Sequence, residues 1–128
     1  MVFVTNRHKS DFKKHIRKVS KSNYKLIATI YLLTANWHLL RLSKRHISNY
    51  DIDFESITLK DCTENCYLLF CAAKDLYLGT RKLSIYDMCD EKLMPKKLFK
   101  VICTAMKIKR MGLSAIKYAM REDDCITK

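Results

Sequence analysis

The chain is 128 residues long with a formal net charge of +12, 48% hydrophobic residues, two glycines and one proline. That length and apolar fraction suffice for one domain with its own core. So few turn formers exclude the many tight corners of an all-β sandwich or barrel, and the longest apolar run, residues 26–37, falls short of the roughly 20 residues that cross a bilayer.

The charge is distributed unevenly. Residues 1–48 hold eleven Lys or Arg and one acid, Asp11, residues 51–91 hold nine acids and four cations, and residues 92–110 hold seven cations and no carboxylate. A field with this direction favours a polyanion or an acidic protein surface. Arg7, Lys9, Lys13 and Lys14 interrupt any apolar stretch of the kind a secretory leader needs, so a cytoplasmic protein in the host cell is expected, with its six cysteines reduced.

In chain order, the first predicted helix covers residues 6–19, capped by Thr5 or Asn6. Phe12, Ile16 and Val19 share one arc, and Lys9, Lys13, Lys14, Arg17, Lys18 and Lys21 occupy the other half. A second, over residues 24–34 behind Ser22 or Asn23, is apolar almost all round and belongs at the centre of the domain. A third follows Asn36 and carries Trp37, Leu40 and Ile47. Asp53 can cap a short helix at residues 54–57. Thr63 opens a helix that ends at Gly79, Ser84 caps a brief one through Met88, and Pro95 begins a long one that Gly112 stops after Met111. In that helix Leu98, Phe99, Ile102, Cys103, Ala105 and Met106 face one way, and Lys96, Lys97, Lys100 and Lys107 the other. Ser114 is placed to cap a final short helix, and residues 121–128 read as a frayed tail. The expectation is an all-α, single-domain bundle of five to seven helices. Its core holds Phe12, Ile27, Ile30, Trp37, Leu69, Phe70, Leu76, Leu98, Ile102 and Met106.

Catalytic and metal motifs are sparse. Cys62, Cys66 and Cys71 lack the paired spacing of a zinc knuckle, and on a helix Cys71 is turned by about 140° from Cys66, so no metal or other cofactor is expected. Two glycines build no phosphate loop, and neither a Gly-x-Ser-x-Gly elbow nor a His-Glu-x-x-His motif occurs. His8, Asp11 and His15 lie on one side of the first helix and offer acid–base groups. Rings at the border of the apolar arc, or an Asp11–His15 ion pair, explain them more simply. The two lysine stripes are therefore the partner-binding candidates. Few Asn, Gln or aromatic residues interleave with them, which argues against sequence-specific base reading.

Phe3-Val4 ahead of His8 and Phe12, the apolar Tyr31 to Leu33 segment, Ile52-Asp53-Phe54 before a Leu-rich helix, and a Leu98-Phe99 helix ending in Ile108-Lys109-Arg110 together resemble small helical proteins of unknown function carried by prophages and mobile elements of Firmicutes. The present chain is more basic than those proteins. The resemblance implies a role in phage–host conflict, such as inhibition of a CRISPR effector, and carries over no catalytic residue. The resulting expectation is a non-enzymatic inhibitor that occupies a host defence protein or ribonucleoprotein complex through its basic surface. The alternatives are a non-specific DNA- or RNA-binding protein, or a small enzyme using His8, Asp11 and His15.

Overall fold

The computed structural model describes residues 2–120, and among these the chain forms six α-helices and no β-strand. The helices are α1 (Asn6–Ile16), α2 (Tyr24–Leu33), α3 (Trp37–Ser43), α4 (Glu64–Leu78), α5 (Ile85–Cys89) and α6 (Lys96–Met111), with 3-10 turns at Lys44–His46, Phe54–Ser56 and Gly112–Ile116. Local chemistry sets most boundaries. Thr5, Asn23, Asn36 and Thr63 each accept a backbone N–H of the first helical turn. Ser84 and Asp87 close a reciprocal capping box around α5. Gly79 ends α4 in the left-handed region at φ 76°, and Gly112 ends α6 at φ 73°, where a Cβ would overlap the Tyr24 ring.

Every residue of α2 from Leu26 to Leu33 is buried. The Thr29 and Thr34 hydroxyls there are satisfied by Lys25 O at 2.8 Å and Ile30 O at 2.7 Å, so the central helix leaves no polar group stranded. Three helices surround it, each running opposite to it. A short turn folds α1 back onto α2, and the α1 residue Phe12 meets Tyr31 edge to face. The end of α4 reaches the start of α2, where the Lys25 ammonium lies 4.6 Å from the Tyr77 ring centroid. Gly112, past the end of α6, meets Tyr24 at that same end, while Lys97 and Val101 share a hollow with Ala35 at the other. α1, α4 and α6 are thus parallel to one another, and one continuous hydrophobic cluster joins them through α2.

Several expectations are corrected. Trp37 and Met106 are not in the core, each being 48% exposed. In the seven-residue α3, Leu39 and Leu40 take the inward positions, leaving Trp37 at the rim. In α6 the buried residues are Leu98, Val101, Ile102, Ala105 and Ile108, so the inward face is rotated away from Phe99 and Met106. Phe70 and Leu76 are half-buried against the cluster. α1 stops at Ile16, although Val19 still packs inside. Asp53 accepts the Ser56 hydroxyl at 2.6 Å and caps nothing, and Ser114 donates to Met111 O at 2.8 Å. The tail at residues 121–128 lies outside the described residues.

Candidate interaction surface

Lys14, Arg17, Lys18 and Lys21 are exposed on and just after α1, as are Lys96, Lys97, Lys100 and Lys107 on α6. Lys13 is half-buried. Lys9 leaves the stripe: it is 9% exposed, and its ammonium lies 6.0 Å from the centroid of Phe3, because the chain before α1 folds over that side of the helix. Neither helix has an acid in its first turn, so Arg7 on α1 and Lys96 and Lys97 on α6 stand against the positive end of the helix dipole. Between described residues the structure contains one ion pair, Arg7 Nε to Asp11 Oδ2 at 3.4 Å. A cluster of like charge raises the local potential and lets an anion relieve it.

Residues 2–4 lie in the seam between α1 and α6. The Tyr31 hydroxyl donates to Val2 O, and Val4 shares a hollow of about 440 Å³ with Lys97 and Val101. The starts of α1 and α6 therefore approach each other. Lys96, Lys97 and Lys100 sit at that end, and Lys14, Arg17 and Lys18 towards the other, on the level of the second half of α6. The two stripes thus lie at different levels and do not merge into a single cluster.

The His8, Asp11 and His15 trio is not brought to a common point. His8 is 1% exposed rather than at the border of the apolar arc. Its Nδ1 accepts the Val4 N–H at 3.0 Å, which places the proton on Nε2, and Nε2 donates to Tyr31 O at 2.9 Å. Burial pushes its pKa down to about 4 against weaker opposing effects of the Tyr31 carbonyl and of Asp11. Both nitrogens are thus committed and the ring is neutral. His15 donates from Nδ1 to the Asp11 backbone carbonyl at 2.8 Å, so the expected Asp11–His15 ion pair is replaced by a backbone bond, and the Asp11 carboxylate turns to Arg7.

Cys66 and Cys71 are both buried despite their different bearings on α4. Burial pushes the Cys66 thiol up to about 12, helped by the neighbouring Cys62, and burial likewise raises Cys71. Such thiols stay protonated and are poor nucleophiles and poor ligands. Among the described residues no group of three His, Cys, Asp or Glu is placed to hold a metal ion.

Comparison with protein-family models, with curated proteins and with solved structures finds no match. No helix among the described residues is long and apolar enough to cross a membrane. Two surface features escaped the sequence. The Arg7 and Arg41 guanidiniums lie 5.5 and 4.9 Å from the Trp37 ring centroid; Arg41, one turn after Trp37, was the available signal. Phe99 and Met106 lie exposed beside the α6 lysines, and nothing in their spacing distinguishes them from core residues.

Proposed function

We propose that the protein works by binding and not by catalysis, presenting the exposed cations of α1 and α6 to an anionic surface of a host defence complex such as a CRISPR effector. The observation that carries this reading is the exposure of eight of the ten candidate cations, with a single ion pair between described residues to neutralise the surface. Removal of His8 from acid–base duty supports a non-enzymatic role. The phage–host setting rests on the sequence resemblance alone. Complementary charge would chiefly speed and orient docking.

A double-stripe variant tests the proposal, with Lys14, Arg17 and Lys18 on one helix and Lys96, Lys97, Lys100 and Lys107 on the other all replaced by Glu. It should keep its fold, lose inhibition of effector cleavage and associate at least about tenfold more slowly. Wild-type inhibition by the folded variant would end the reading. Non-specific nucleic-acid binding is the second reading, favoured by Trp37, an aromatic ring half exposed between two guanidiniums. For that reading, log affinity for random-sequence DNA should fall linearly with log salt, by about 0.7–0.9 per phosphate neutralised.

A further inference from the structure

Among the described residues, α5 and α6 leave an apolar groove without a partner in the fold. On one side of Met88 is a hollow of about 560 Å³ bordered by Met94, Phe99, Cys89 and Glu91. On its other side a hollow of about 190 Å³ includes Leu83, Ile102 and Met106. Met88 lines both, Phe99 lines the first and Met106 the second, so the two hollows follow one another along α6 with a methionine between them. Phe99 and Met106, the two exposed apolar residues of α6 along it, are seven residues apart on the same side of the helix, about 10.5 Å along its axis. Ile85, 85% exposed, lies one turn before Cys89 on the α5 lip.

Charge borders this groove on one side. At 100° per residue Lys96, Lys107 and Lys100 follow the Phe99–Met106 line around α6 within about 120°, and Arg110 continues the line itself. These four cations are in no ion pair with a described residue. Glu91, just after α5, and Asp75, near the end of α4, are the acids that line the two hollows, and Lys109, which donates to Leu76 O, lines the second.

We infer that this groove docks an amphipathic helix of a partner protein, with apolar side chains seven residues apart entering the hollows on either side of Met88 and a row of Asp or Glu facing the α6 lysines. The inference rests on the basic-surface reading and names its partner chemistry. A concave groove with two separate hollows accepts side chains from a convex helix, whereas a phosphate backbone would leave the apolar lining uncovered and a flat membrane would not reach into it. Adaptable methionines lining the hollows suit such a groove.

The test uses the full chain and a fluorescent 18-residue peptide of Leu, Ala and Glu. Its leucines recur at i, i+3 and i+7 with glutamates along one flank; a second peptide has the same composition in scrambled order. The patterned peptide should bind with a dissociation constant on the order of micromolar and at least about tenfold more tightly than the scrambled one. Phe99→Glu should weaken it at least about tenfold, and Lys100→Glu with Lys107→Glu should do so most at low salt. Tyr50→Glu, remote on an exposed loop, should leave binding unchanged. Far-UV circular dichroism checks each fold, and Met106→Glu serves if Phe99→Glu does not fold. Equal binding of the two peptides, or no binding of the patterned one, overturns the inference. It is also overturned if phosphatidylglycerol vesicles or oligothymidine bind with the same dependence on Phe99. The basic-surface reading falls separately, on the double-stripe variant and the effector assay.

Discussion

α1 and α6 carry the same pattern of lysines opposite an apolar face, yet they bury it differently. The inward arc of α1, from His8 through Phe12 to Ile16, covers only about 80° at the helical repeat, and α2 together with residues 2–4 encloses it. Even a histidine and most of Lys9 disappear beneath that cover. The apolar residues of α6 run from Ile108 round to Cys103, about 220°. α2 and α4 cover the Leu98, Val101 and Ile108 part, and the five-residue α5 is too short to cover the rest. An apolar arc becomes core only where enough neighbouring surface exists to close over it; beyond that width it becomes exposed groove.

The sharpest way to break this comparison is to truncate one aromatic on each helix. Phe12→Ala should destabilise the protein by about 3–5 kcal/mol in urea unfolding, since the ring is fully enclosed. Phe99→Ala, at a ring already 40% exposed, should cost about 1 kcal/mol or less. Equal losses would show that α6 buries its outer face as α1 does.

The pH dependence of stability tests the α1 side again. The folded His8 pKa of about 4 lies below the ordinary 6.5, so the unfolded chain takes up a proton in a range where the folded chain does not. Stability from this site should be complete above about pH 6.5, fall as the pH drops through that window and level off below about pH 4, with a total loss of about 3 kcal/mol. His8→Leu should abolish that slope. An unchanged slope would mean that other groups carry it.

Charge reversal probes the opposite faces of both helices. Lys14→Glu with Lys18→Glu, or Lys100→Glu with Lys107→Glu, should shift unfolding free energy by about 0.5 kcal/mol or less, because these side chains are exposed. Partner association should nevertheless slow. A small effect is also expected at Trp37: Trp37→Ala should cost about 1 kcal/mol or less, reflecting the loss of its two guanidinium contacts. A loss above 3 kcal/mol would return it to the core.

The sequence by itself determined the helices, since their signals are local. Cap residues such as Thr63 and Ser84, the stops at Gly79 and Gly112, and the period of the apolar residues each act within a turn or two of chain. It also determined which helix is central, because α2 has no polar face to give to water. Which residues of a wide apolar arc go inside was decided only by the tertiary structure, where α2 and α4 select Val101 and Ile108 over Phe99 and Met106. The same holds for His8. Periodicity placed its ring at a border, but the Val4 N–H and the Tyr31 carbonyl, the latter 23 positions away, supply the two bonds that let a neutral imidazole be buried. Those partners come together only when residues 2–4 and α2 close over α1, and the period of α1 alone contains no trace of them.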